Sequence, residues 1–513
     1  MSFHHRKDWL PRQYSAECAN KFVDSALYCR KFLVSLQSNK TTMFIGRENE
    51  IKKLCSAYDA DESKFIAIYG RRRIGKTCLV REAFRDNFAF TYSGMPNVST
   101  RIQLHSFYNA LKSQGLGKST VPQNWIDAFT LLSELIEKQP DGKKVIFLDE
   151  LPWMDAPRSS FLPAFEQFWN GWASAKKDIL LVICGSATSW MVNKVFKNRG
   201  GLHNRLSYRI CLQPFTLKEC EQYSTERKLG YTREMIMETY MVLGGIPYYW
   251  SLLETGIGMA QNIDNLFFKN GAVLGGEFDE LYRSLFKNPA PYIEIITALG
   301  KKKAGMTREE IIKAAKLKDN GKIGDCLEEL DACGFIRRYN SYGAKKKNAV
   351  YQLIDNYTLF YFRFIDSKNN IDEAFWSKSL RTSAYHNWCG LAFERVCLLH
   401  IRQIKKALGI GGVISNEYSW RTPPYADLPG VEIDLLIDRA DKVFNLCEMK
   451  YTESKFTIDK KYSGAIKNKV QRLYDVTKTR NAVFVTLISA NGVTANVYAN
   501  EIPCVLTSDD LFD

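Results

Sequence analysis

The chain is 513 residues long, 45% hydrophobic and 25% charged, with a formal net charge of +15; it is too long for one hydrophobic core and of ordinary globular composition, so about three domains are expected. Its thirteen cysteines are scattered with no CxxC pair and its six histidines do not gather beside them, which argues against a disulfide framework or a zinc site and for a reducing compartment. No run approaches the roughly 18 apolar residues of a membrane span and MSFHHRKDWLPRQ lacks the apolar core of a signal peptide; a cytoplasmic protein without a membrane partner is expected, its positive charge favouring polyanions such as nucleic acid, with simple solubility as the alternative.

Residues 1–42 read as an extension, and organised patterning begins at Met43 with FIGRENEI. From Phe65 to Leu212 short apolar runs (FIAIY, FAFTY, VIFLD, ILLVICGS, YRICL) alternate with helical stretches. That alternation predicts an α/β domain over 43–213, a parallel sheet with helices on both faces. Residues 214–285 turn helical, with LKECEQYSTERKLG and MIMETYMVLGG stopped at Ile246-Pro247, and form an expected helical lid. Residues 286–356 read as helix, helix, helix, hairpin, with Thr307 and Glu310 spaced as a capping box, the outline of a winged helix. The aromatic run NYTLFYFRFID opens a connector, 357–385, suited to packing domains together. From 386 to 513 a long helix precedes the strands VEIDLLID, KVFNLCEMKY and NAVFVTLIS, a second α/β unit.

The chemistry starts at Gly70-x-x-x-x-Gly75-Lys76-Thr77, which follows the strand FIAIY and opens the helix TCLVREAF, the setting a Walker A motif requires. Residues Gly70, Arg71, Arg72, Arg73, Ile74, Gly75, Lys76, Thr77 and Cys78 would wrap the phosphates of ATP, backbone N–H groups and a helix N-terminus facing the anion. Lys76 would reach the β- and γ-phosphates and Thr77 would ligate Mg²⁺. The three arginines suit charge complementarity or packing on the lid, not catalysis. VIFL ends in Asp149-Glu150: Asp149 would hold Mg²⁺ and Glu150 would polarise the attacking water. Ser186 and Thr188 are placed either to sense the γ-phosphate or to cap the helix SWMVNKVF. Arg205 is a candidate for neutralising transition-state charge in its own or a neighbouring subunit, against the commoner reading of a surface arginine.

FIGRENEI, YGRRRIGKT, FLDELPWM and LGGIPYYW together resemble the archaeal-type ATPases of the STAND branch of the AAA+ superfamily, over about residues 43–513. The resemblance implies that Gly46 and Arg47, with Glu48, lie near the adenine. It also implies that Pro247, in Gly245-Ile246-Pro247, lies against the nucleotide and reports its state onward.

Near the C-terminus Asp434 stands in VEIDLLID and Glu448-Met449-Lys450 in NLCEMKY. Residues two apart in a strand share a face, so Glu448 and Lys450 project together. The pair of strands resembles the PD-(D/E)xK nuclease core often carried by this ATPase family. On that resemblance Asp434 and Glu448 would grip a divalent metal, Lys450 would steady the scissile phosphate, and Glu394 in LAFERV would be the additional acidic ligand. A salt-bridge ladder on a sheet face is the competing reading of the same residues. In the winged helix, Asp325, Glu328, Glu329 and Asp331 would repel phosphates, leaving Lys345, Lys346 and Lys347 in the wing as possible backbone contacts.

The sequence thus points to an ATP- and Mg²⁺-dependent switch of STAND/AAA+ type, coupled to a nuclease-like DNA-binding domain and open to homo-oligomerisation or nucleotide-dependent self-association. Its rival is a nucleotide-dependent scaffold whose C-terminal domain binds DNA or protein without cleaving.

Overall fold

The apolar runs of the first half become β1 (Lys64–Tyr69), β2 (Phe90–Ser93), β3 (Lys144–Asp149), β4 (Ile179–Gly185) and β5 (Tyr208–Cys211). They join in one parallel sheet of order β2-β3-β4-β1-β5. The computed structural model describes residues 44–513 except Ala187, 198–199, His203, Lys287, 344–348, 367–371 and 425–428. The chain divides into two units: the described residues up to Arg71 with Gly75–Leu212, and Arg72–Ile74 with Gln213–Asp513.

In the first unit the sequence reading of a parallel α/β sheet holds, strand for strand. Parallel pairing needs crossovers that lay helices on the faces of a sheet, and β3 and β4 are accordingly buried along their whole length. Helices Trp125–Glu137 and Phe161–Gly171 are part of the cover, the first opened by Asn124, whose side chain accepts from the Asp127 N–H. The core beneath them is aromatic: Phe107 meets Phe90, Tyr92 and Trp125 edge-on, and Phe129 stacks on Phe168. Removing one such ring, as in Phe107→Ala, is expected to cost about 3–5 kcal/mol. The strand order has a functional consequence. It sets β1, β4 and β3 side by side, so the loops leaving their C-terminal ends share one edge.

The second unit begins with helices Leu217–Glu226, Arg233–Leu243, Pro247–Ser251, Met259–Phe267 and Glu277–Leu285. Three helices (Ala290–Gly300, Arg308–Ala314, Gly321–Ala332) and the strands β6 (Met306–Thr307), β7 (Ile336–Tyr339) and β8 (Val350–Leu353) follow, the strands antiparallel in the order β6-β8-β7. The capping box forms as spaced in the sequence: Glu310 N–H donates to Thr307 Oγ1 at 3.3 Å and Thr307 N–H to Glu310 Oε2 at 2.8 Å. Two of the acids on the third helix serve this region itself. Glu329 accepts from the Tyr292 hydroxyl, and Asp331 Oδ1 accepts from Arg338 N–H at 3.1 Å. The wing residues Lys345, Lys346 and Lys347 lie outside the described residues.

The aromatic run after Asp355 is a packed helix, Asn356–Phe364. Phe360 lies among the rings of Phe267, Trp376 and Trp388, which explains its burial. Beyond helix Ser383–Leu399 come β9 (Ser415–Thr422), β10 (Val431–Arg439), β11 (Val443–Lys450), helix Lys460–Thr477, β12 (Ala482–Ser489) and β13 (Cys504–Leu506). Their sheet runs β13-β12-β11-β10-β9, antiparallel from β9 to β11 and parallel from β11 to β13. The 460–477 helix is the crossover that the parallel β11–β12 pair demands. Among the described residues no helix is long and apolar enough to cross a membrane.

Candidate active site

The loop after β1 is shaped by backbone that only some residues accept. Gly70 has φ 134° and Gly75 φ 85°. A Cβ on Gly75 would meet nothing within 4 Å, so glycine is required there by conformation and not by space. Arg73 is also left-handed, at φ 69°, an uncommon state for a residue with a side chain. From Lys76 the helix Lys76–Phe84 takes over, and its first turn points N–H groups back at the loop.

The side chains at the shared edge of β1, β4 and β3 form one hydrogen-bonded group. Lys76 is buried, and its ammonium donates to Gly70 O at 3.1 Å, Arg71 O at 2.9 Å and Ser186 Oγ at 2.9 Å. Ser186 in turn donates its hydroxyl to Glu150 Oε1 at 2.5 Å, and its N–H to Glu150 Oε2 at 3.1 Å. The Thr77 hydroxyl donates to Asp149 Oδ2 at 2.7 Å. Burial pushes the Asp149 carboxyl above its ordinary value while the Thr77 hydrogen bond pulls it down. Glu150 departs from β3 at φ 46°, a turn that aims its carboxylate across to β4. Gly94 makes room for that turn: its N–H donates to Asp149 O at 2.9 Å, and a Cβ there would stand 2.5 Å from Glu150 O.

Lys76, Thr77, Asp149 and Glu150 are therefore brought together. Ser186 joins them as the bridge between Lys76 and Glu150, a role that neither sequence reading of this hydroxyl contained; the side chain of Thr188 lies outside the described residues. Cys78 is exposed, and Arg205, on the turn before β5, is exposed and stands outside this group. Gly46 and Arg47 are consecutively left-handed, φ 63° and 62°, ahead of helix Glu48–Tyr58, with Arg47 buried. The three arginines separate: Arg71 is buried, Arg72 exposed, and Arg73 belongs to the second unit with buried Ile74. Within that unit Arg73 pairs with Glu277 at 2.5 Å, lies 4.3 Å over the Tyr248 ring, and accepts from Tyr248 N–H at 3.3 Å through its carbonyl. Glu277 also accepts from the Tyr249 hydroxyl at 3.2 Å; burial raises its carboxyl and Arg73 opposes the rise. Pro247 opens this short helix, after Gly245 whose carbonyl accepts from Phe215 N–H at 2.6 Å. A Cβ on Gly245 would fall 1.9 Å from Phe215 O.

The model of a family described as an ATPase domain predominantly from Archaea matches residues 44–253. This region is a P-loop ATPase domain. An uncharacterized protein of Methanocaldococcus jannaschii is 25% identical over 367 residues, covering 71% of this chain and 78% of its own. Among solved structures, the Walker-type ATPase of Pyrococcus abyssi aligns with TM-score 0.43 at 16% identity, over 63% of this chain and 96% of that one. A STAND protein of Pyrococcus horikoshii with a tetratricopeptide repeat sensor aligns with TM-score 0.30 at 17% identity, over 73% of this chain and 53% of that one. The ATPase domain accounts for the first site only.

The second candidate site lies on β10, β11 and helix Ser383–Leu399. Register pairs Leu435 with Cys447 across the antiparallel β10–β11 ladder; Asp434 and Glu448 are the next residues beyond that pair, where β10 is irregular in its pairing with β9. Lys450 lies 5.1 Å over the Tyr462 ring, and burial followed by the Glu448 charge pushes the Tyr462 hydroxyl up, so Glu448 and Lys450 do share a face. Burial and then the Asp434 charge raise the Glu394 carboxyl, with Lys303 opposing. Each glutamate has a lysine on it: Glu394 pairs with Lys303 at 2.6 Å and Glu448 with Lys469. Among the described residues no group of three or more His, Cys, Asp or Glu side chains is arranged to hold a metal ion. Glu394, Asp434 and Glu448 thus do not converge as the ligand trio that the sequence suggested, because two of the three are turned onto ammonium groups. Lys303 and Lys469 carry no motif and were invisible to spacing arguments.

Proposed function

We propose that the chain binds and hydrolyses ATP at residues 70–78 with Mg²⁺, using the ATPase domain as a nucleotide-dependent switch. The observation that carries this reading is the continuous group Lys76–Ser186–Glu150 beside Thr77–Asp149, at the C-terminal edge of three adjacent parallel strands, where α/β sheets bind ligands. The Thr77 hydroxyl and Asp149 carboxylate are hard oxygen donors 2.7 Å apart, a set that suits Mg²⁺. When bound, Mg²⁺ would neutralise charge on the β- and γ-phosphate oxygens. Lys76 exchanges its two loop carbonyls for phosphate oxygens, and the loop N–H groups take the remaining negative charge. Glu150 orients the attacking water once its hydrogen bonds to Ser186 loosen. Lys76→Ala is expected to abolish nucleotide binding in calorimetry, whereas Glu150→Gln binds ATP and turns it over slowly; equal turnover in Glu150→Gln and wild type would remove Glu150 from this role.

The switch would act on the rest of the chain through Arg73, whose ion pair with Glu277 and contact with Tyr248 tie the loop tip to the helices around Pro247. Downstream we read residues 286–356 as a winged helix and 386–513 as a PD-(D/E)xK nuclease-like domain acting on DNA. The helix–hairpin order, the mixed sheet, and the place of Asp434 and Glu448 at the end of the β10–β11 ladder support this. Divalent-metal-dependent nicking of plasmid DNA, lost in Asp434→Ala and Lys450→Ala, tests it. The lysine-paired glutamates favour the second reading, a domain that binds DNA or a protein partner without cleaving, and absence of nicking under ATP, ADP or analogue would establish it over the first. A net charge of +15 supports a nucleic-acid partner under both readings. Self-association on nucleotide, with Arg205 offered to a neighbouring subunit, is the remaining element, testable by sedimentation with and without ATP.

A further inference from the structure

The turn between helix Ala290–Gly300 and β6 is held far more firmly than a surface turn needs. The Lys303 carbonyl accepts from Arg395 at 2.7 Å and from Gln352 at 2.7 Å. The neighbouring Ala304 carbonyl accepts from the Tyr339 hydroxyl at 2.6 Å and from Arg421 at 3.1 Å. Gly305 turns at φ 73°, and a Cβ there would lie 2.5 Å from Tyr351 O. Four donors, two of them from β9 and helix Ser383–Leu399, fix two consecutive carbonyls belonging to another part of the chain. The result is to station one ammonium: Lys303 Nζ stands 2.6 Å from Glu394, a carboxylate close enough to Asp434 to feel its charge. Its side chain keeps 41% of its exposure while that of Glu394 keeps 16%. The lysine thus reaches the acid from solvent and can leave it without unfolding anything.

From this we infer that Lys303 is a built-in cation of the acidic site, a residue delivered from outside residues 386–513 that occupies Glu394 in place of a divalent metal. The inference rests on the reading of Glu394, Asp434 and Glu448 as a divalent-cation site, and it supplies the reason that these carboxylates do not gather as a ligand trio. An ammonium can balance one carboxylate but cannot draw several around itself as a small divalent ion does. The site stays acidic in sequence and cation-filled in structure. Departure of the Lys303 ammonium, and not the arrival of metal alone, opens it.

Binding of Mn²⁺ to nucleotide-free full-length protein, followed by the loss of the free-ion EPR signal, tests this independently of any cleavage. The signal that counts is the part abolished by Asp434→Asn, which sets aside metal held at Thr77 and Asp149. Lys303→Met is expected to bind Mn²⁺ about tenfold more tightly than wild type, the lower end of what one adjacent charge does to a neighbouring group, and Lys303→Arg to resemble wild type. Equal affinity in wild type and Lys303→Met, still sensitive to Asp434→Asn, overturns the role of Lys303 while leaving the metal site in place. Absence of Asp434-dependent binding in both overturns the metal reading and the inference with it. Loss of DNA nicking in Lys303→Met at unchanged Mn²⁺ affinity would make Lys303 a phosphate contact and overturn its role as occupant.

Discussion

The two candidate sites contrast in how their charges are satisfied. At the edge of β1, β4 and β3, Lys76, Ser186 and Glu150 answer one another, so the ammonium of the loop and the carboxylate of the next strand but one are joined through a single hydroxyl. On β10 and β11 the acids are answered from outside the motif, Glu394 by Lys303 and Glu448 by Lys469. A site whose partners are its own members is preorganised for a ligand that enters among them. A site whose partners are external ammonium groups must lose those before anything else can bind.

The largest effect should come from the first site. Glu150→Gln is expected to slow ATP turnover by about 10²–10³, the scale seen when one preorganised polar group is removed from a reacting centre, with nucleotide affinity kept; single-turnover hydrolysis measures it. No comparable loss of ATP turnover should follow Glu448→Gln, and if it did the two sites would not be separate. Next in size is the turn that carries Lys303. Gly305→Ala meets the Tyr351 carbonyl and a positive φ together, and is expected to cost about 2–3 kcal/mol in urea unfolding. Gly75→Ala, strained by its φ alone with open space around it, should cost only about 1–2 kcal/mol, although it disturbs the phosphate loop.

A pH effect follows from His400, which is buried beyond the end of helix Ser383–Leu399. Its Nε2 accepts from Leu217 N–H at 3.1 Å and its Nδ1 lies 2.8 Å from Val396 O, so the neutral ring is the one that fits. Burial depresses its pKa from 6.5 to about 4. The unfolded chain therefore binds this proton more readily, and stability present above pH 6.5 is lost as pH falls toward 4. The loss should approach about 3 kcal/mol, and His400→Gln should flatten the slope in that window. Smallest of all, Arg72→Ala removes an exposed side chain from the loop tip and should leave stability within about 0.5 kcal/mol, whereas Arg73→Ala, which strips the buried Glu277 of its cation, should cost about 1–3 kcal/mol. If the two arginines behave alike, the separation seen between them is not maintained in solution.

Much of the first unit was legible because its rules are local. A parallel strand buried on both faces is a continuous apolar run, and each of the five runs read from the sequence became a strand at its expected place. The phosphate loop was legible because glycine positions encode backbone angles directly. The bridge made by Ser186 was not legible for the opposite reason: whether a hydroxyl after a strand reaches two neighbouring strands depends on sheet order, which spacing does not encode. That the aromatic segment after Asp355 packs was legible from its composition, but its partners, Phe267, Trp376 and Trp388, were not, being set by the fold and not by local pattern. At the C-terminal site the carboxylates and Lys450 could be named and their shared strand face inferred from the period of two. Lys303 and Lys469 could not, because a lysine that pairs with an acid carries no local mark distinguishing it from one in water.

Where Phe215 passes Gly245, main chain lies directly on main chain, with no side chain between to yield. Such a crossing transmits displacement without slack. Within the second unit, a tilt of the short helix that Pro247 begins would therefore displace Phe215 with it. The joint behaves as a crossbar, and a single methyl group at Gly245 would be enough to pry it apart.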